Sequence, residues 1–187
     1  MAVDLYWLPL GAGWHFVRRN GRVFEALAAL IERRQRYDLY HSALEVRVGK
    51  DMFVVEMMPV RDPHGSQHGR VSGGAVGSRW LRGWRMFRYE IRRWRDGQIP
   101  DVAEAVESPQ RLTDDEDCGR RLLDLVPTVP TPVWGRDEFD TGDMWNSNSV
   151  TSWLIARSGI ETGAIHPPAG GRAPGWQAGL TTARRSG

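Results

Sequence analysis

Two runs of alternating residues, His41 to Val48 and Phe53 to Met58, meet across Gly49-Lys50-Asp51, and no other stretch restricts the fold as much. Leu44, Val46 and Val48 share one face of the first run, while His41, Ala43, Glu45 and Arg47 share the other. A period of two with a turn between the runs specifies an antiparallel hairpin. Around it the chain alternates helical and short extended patterns without a strand-helix-strand rhythm. That combination predicts an α+β fold, an antiparallel sheet packed against helices. No glycine-rich loop follows a strand and opens a helix, so nucleotide binding is not expected.

The other elements follow from periodicity and punctuation. Asp4 to Val17 reads as an extended opening segment ending at an Asn20-Gly21 turn, and Val23, Phe24, Leu27, Leu30 and Ile31 recur at helical spacing over Val23 to Arg34. Arg61 to Ser78 is rich in glycine and is expected to be a loop. Met86 to Trp94 alternates, with Phe87, Tyr89 and Ile91 inward and Arg88, Glu90 and Arg92 outward. Thr113 and Glu116 have capping-box spacing before a helix whose inner face is Cys118, Leu122, Leu125 and Val126, and Pro127 and Pro130 end it. Val150, Trp153 and Leu154 mark a further helix, stopped at Gly159. Pro167 to Leu180 reads as a Pro/Gly loop with Trp176 as a lid residue. A single domain is expected over residues 1–180, with a disordered tail over 181–187.

Composition excludes several classes. With 187 residues the chain is long enough to bury a core without staples, and its one cysteine excludes both an internal disulfide and a multi-cysteine zinc site. No run of 18 apolar residues spans a membrane, and the first residues lack a secretory pattern, so a cytoplasmic protein is expected. Arginine accounts for 24 of the 25 basic residues, but a net charge of +2 is spread along the chain. That is a weak footprint for nucleic acid, and no nucleic-acid partner is expected.

The chemistry-bearing positions are a helix start crowded with Asn146, Ser147, Asn148 and Ser149, a histidine opening a strand, and a glutamate inside an apolar one. A hydroxyl at a helix start meets amide donors and partial positive charge, which favour an oxyanion. A histidine base needs a third polar group to orient it, and Glu56 sits on the strand paired with that of His41. The runs HSALEVRVG from His41 and FVVEMMP from Phe53, followed much later by the Asn148-Ser149 pair and Trp153-Leu154, resemble the circularly permuted papain-fold proteins. These are the NlpC-like group that includes the lecithin:retinol acyltransferase relatives. The order histidine, polar residue, nucleophile matches that permutation, and the likeness covers Asp38 to Pro59 and Thr141 to Gly159, about half the chain.

The resemblance implies a papain-like groove and a site of Ser149, His41, Glu56 and Asn148, with Asn148 or the Ser149 amide at the oxyanion. Ser149 stands where the family carries cysteine. A serine cannot be ionised in advance as a thiol can, so two readings follow. In one, the domain is catalytically silent or weakly active and binds a peptide, cell-wall fragment or acyl ligand in its groove. In the other, Ser149, His41 and Glu56 form the triad of an amidase, acyl hydrolase or acyltransferase. Each residue also has a plain structural role: Ser149 as a helix cap, His41 as a strand histidine, and Glu56 as the partner of an arginine.

Other candidates are weaker. Asp62, His64 and His68 lie in the glycine-rich loop, where helical spacing does not converge ligands, and neither a metal nor a cofactor is expected. Cys118 is on an inner helix face, where a free thiol packs inertly. The run SRWLRGWRMFRYEIRRWRDG resembles a base-stacking strip, but its alternation favours a solvated strand face.

Overall fold

The structure, a computed structural model, describes residues 2–10, 38–60 and 69–186. In chain order it contains β1 (Ala2–Pro9), β2 (Asp38–Val48), β3 (Asp51–Pro59), β4 (Arg70–Ala75), β5 (Arg88–Arg95) and β6 (Val106–Thr113). There follow α1 (Glu116–Leu125), α2 (Ser147–Arg157), the two-residue β7 (Gly171–Arg172) and α3 (Trp176–Arg185). The sheet runs β4-β5-β3-β2-β1-β6, antiparallel at every pairing, with β7 added in parallel to the start of β2. The expected α+β class, an antiparallel sheet against helices, is observed.

The hairpin forms as the alternation requires. Leu44 pairs with Val55 and Val48 with Asp51, so the turn is Gly49-Lys50, one residue shorter than expected. Gly49 takes φ 59°, the left-handed geometry that a two-residue hairpin turn demands. One face of the sheet presents Val3, Leu5, Trp7, Leu44, Val46, Val55, Met57, Tyr89 and Ile91 to a single core. Leu122 of α1 and Val150, Leu154 and Ile155 of α2 close it. Each such side chain removed from water contributes about 1.5–3 kcal/mol, which makes this face the main source of stability. The opposite face carries a smaller cluster of Tyr6, Leu8, Ala43, Val54 and Ile99. Buried Asp4, Glu56 and Glu90 accompany it there.

Helix α2 is buried from Ser147 to Ile155. Its Thr151 hydroxyl reaches the Ser42 carbonyl on the sheet side, and its Ser152 hydroxyl donates to the Trp176 carbonyl on the α3 side. Short hydroxyl side chains suit a helix enclosed on several sides, because they are satisfied by nearby carbonyls and leave room for close packing. Gly179 of α3 supplies the other half of that contact. A Cβ there would lie 2.1 Å from both the Ser149 carbonyl oxygen and the Ser152 Oγ.

Five expectations are corrected. Asp115, not Thr113, caps α1, accepting from the Asp117 amide, while the Thr113 hydroxyl accepts from the Asp115 amide two residues later. Strand β5 starts at Arg88, and the residues before it form 3-10 turns at Arg79–Gly83 and Arg85–Phe87. Within the expected glycine-rich loop, Arg70–Ala75 is an edge strand. The region expected to be a loop and a disordered tail carries α3 through Arg185, because Trp176, Leu180 and Ala183 recur at helical spacing and are buried. Trp176 is no lid: its ring lies 5.1 Å from that of Trp7 within the core. The expected helix over Val23 to Arg34 and the turn at Asn20-Gly21 lie outside the described residues, as do Asp62, His64 and His68.

Candidate functional site

The start of α2 is built by Asn146. Its Oδ1 accepts from the Asn148 amide at 2.9 Å and from the Ser149 amide at 3.4 Å. Ser149 completes a reciprocal capping box, its Oγ accepting from the Asn146 amide at 3.0 Å. The Ser149 hydroxyl proton goes to the Gly175 carbonyl, 2.7 Å away, and the side chain is wholly enclosed. The amide donors that a helix start offers to an oxyanion are thus taken by Asn146.

Asn148 is saturated as well. Its two amide hydrogens go to the Tyr40 carbonyl at 2.9 Å and the Pro174 carbonyl at 2.8 Å, and its Oδ1 accepts from the Ser42 hydroxyl at 2.9 Å. It clamps α2 to β2 and to the segment leading into α3. Asp143 fastens the same segment, accepting from the Gly175 amide at 2.7 Å and from its neighbour Met144 at 2.8 Å. Burial pushes the Asp143 carboxyl above the usual aspartate range, against the pull of those two amides.

His41 and Glu56 lie on the other side of the sheet. Ser42 pairs with Trp7 and points to α2, whereas His41 pairs with Leu8, which belongs to the opposite cluster. One residue of strand reverses the face, so the pleat separates His41 from Ser149. Glu56 follows core-facing Val55 and precedes core-facing Met57, which places it on the His41 face. Directly across from Glu56 on β5 is Arg92, whose Nε donates to Glu90 at 2.7 Å. Among the four positions, then, the structure groups Ser149 with Asn148 on the helical side and His41 with Glu56 on the other.

Cys118 also has a structural role. Burial, and then the Asp115 carboxylate that accepts its proton, push the thiol up, although Arg121 beside it pulls the other way. A reactive cysteine needs the reverse shift. Among the described residues, no three of His, Cys, Asp and Glu are grouped to hold a metal ion.

The β4–β5 connection, within the run whose alternation favours a solvated strand face, forms a feature that the alternation does not indicate. Beside it opens a cleft of about 460 Å³, lined by Gly77, Arg79, Trp80 and, from the facing turn, Val133, Arg136 and Glu138. Arg79 donates to both oxygens of Glu138, at 2.9 and 3.1 Å, and holds that carboxyl below the usual glutamate range. Glu138 also accepts from the Val133 amide, and Arg136 donates to the Gly77 carbonyl, so both walls are fixed. The Trp80 ring stands at the rim, 95% exposed. The available signal was RWLRGWRMF, where Trp80, Leu81, Trp84 and Met86 fit neither a strand nor a helix face.

No protein-family model, curated protein or solved structure matches the chain.

Proposed function

We propose that this chain is a catalytically silent, permuted papain-like binding domain, and that it holds a peptide, cell-wall fragment or acyl ligand in the cleft between the β4–β5 connection and the 133–138 turn. The observation that carries the silent character is the Ser149 hydroxyl, enclosed and committed to the Asn146 amide and the Gly175 carbonyl. A nucleophile must reach its substrate and its base. Ser149 reaches neither without withdrawal of the Gly175 turn and a shift of β2 by one residue. The papain-like part of the proposal draws support from the element order, with a histidine-bearing hairpin first and a later helix whose start abuts the histidine strand through Asn148.

The cleft suits a ligand with an apolar portion for the Trp80 ring and polar groups for the fixed walls of arginine, glutamate and backbone. The test is a titration of the isotope-labelled chain with a short peptide, a muramyl peptide and decanoate, followed by amide and indole resonances. At least one is expected to shift the Trp80 indole and Gly77 amide signals in a saturable way. Shifts confined to other parts of the chain, or none with any of the three, overturn the cleft as the ligand site.

A further inference from the structure

Among the described residues, four of the five exposed large hydrophobic side chains lie on the β4–β5 connection. Residues 79–86 are exposed without interruption. Among them Trp80, Trp84 and Met86 are 95%, 68% and 73% exposed, and Leu81 joins them. Neither 3-10 turn contains a buried residue. Its base, by contrast, is fastened: Val76 and Trp134 form a parallel bridge, the Trp134 ring packs edge-on against Tyr89, and Arg79 is held by Glu138. A fastened base presenting a solvent-exposed apolar tip is the arrangement of a docking element.

The charge on the same stretch selects the partner. Residues 77–89 contain Arg79, Arg82, Arg85 and Arg88 and no acidic residue. We infer that this tip docks on an anionic lipid surface, with Leu81, Trp84 and Met86 entering the headgroup boundary and the arginines meeting lipid phosphates. Indole rings favour that boundary because one edge is apolar and the N–H seeks a polar partner. Arginines near an anionic bilayer add electrostatic attraction. A second copy of this chain fits poorly, since it would set one arginine-rich tip lacking acidic residues against another. Single-stranded nucleic acid would use the tryptophans but leave Leu81 and Met86 without a base to stack on. This docking lies on the surface and needs no spanning helix, and none of the described helices is long and apolar enough to cross a bilayer.

The inference goes beyond the cleft reading, and the test separates the two because Leu81, Trp84 and Met86 do not line the cleft. The full chain is sedimented with vesicles of phosphatidylcholine alone and of phosphatidylcholine and phosphatidylglycerol in equal parts. It is expected to pellet with the anionic vesicles only, and less as salt is raised. The Leu81→Ala/Trp84→Ala/Met86→Ala variant is expected to melt as the parent does and to lose partitioning about tenfold or more, and Arg82→Gln to lose about fivefold. The inference is overturned by any of three results: no pelleting with anionic vesicles, equal pelleting of the triple variant, or equal pelleting with the neutral vesicles. It is also overturned if the triple mutation abolishes oligothymidylate binding or self-association while vesicle binding is absent.

Discussion

Replacing Ser149 with alanine removes two interactions at the centre of the molecule. The hydroxyl loses its bond to the Gly175 carbonyl, which still accepts from the Gly179 amide, so that acceptor keeps a partner. The net loss there is about 0.5–1.5 kcal/mol. The Asn146 amide fares worse. Its acceptor is the Ser149 Oγ, and without it a buried donor is left orphaned at a cost of about 1–3 kcal/mol. Alanine returns about 0.5 kcal/mol through its better helix propensity. The balance is a destabilisation of about 1–4 kcal/mol, which for a domain of this size lowers the melting temperature by about 2–16 °C. Differential scanning calorimetry of parent and variant reads this directly. A catalytic serine behaves oppositely, since function-bearing groups are held at a stability disadvantage and their removal leaves stability unchanged or raises it. An Ser149→Ala melting temperature equal to or above the parent's would refute the structural role assigned to the hydroxyl.

Three further outcomes follow from the same geometry. Gly179→Ala sets a methyl 2.1 Å from the Ser149 carbonyl and Ser152 Oγ, so it is expected to cost about 1–3 kcal/mol despite its favourable helix propensity of about 1 kcal/mol, seen as a lower urea midpoint at unchanged m. Asn148→Asp turns a donor to the Tyr40 and Pro174 carbonyls into a buried carboxylate facing them; near-ultraviolet circular dichroism should show lost packing at neutral pH and partial recovery on acidification, as the carboxyl is protonated. Asp143 has its carboxyl raised by burial, so the stability it contributes is complete below the ordinary aspartate range and declines as pH rises through the folded value; Asp143→Asn should flatten that decline in chemical denaturation across the window.

The parts of the fold visible in the sequence were those with local causes. Strands β2 and β3 were legible because a period of two and a turn signal occur within one short stretch. Helix α1 was legible from its inner face, yet its cap was misassigned because Thr113 and Asp115 are both capping types and only backbone geometry decides between them. Helix α3 was obscured by the prolines and glycines of residues 167–175, which precede it. The candidate site was harder for a physical reason. An Asn-Ser pair at a helix start is equally a nucleophile and a cap, and what separates the two is the Gly175 carbonyl, 26 residues downstream. For His41 the warning was already in the alternation, which set it opposite the apolar Leu44 and Val46 face where a helix must pack. The strand expected over Met86 to Trp94 begins at Arg88 instead, because the alternation of Phe87, Tyr89 and Ile91 does not extend to the residues before them.

The silent character of the site is tested most directly by incubating the folded chain with a fluorophosphonate probe over a wide pH range and locating any adduct by mass spectrometry. An enclosed, capping Ser149 predicts an unlabelled chain at every pH where the protein remains folded. Stoichiometric labelling of Ser149 that disappears in His41→Ala would contradict it.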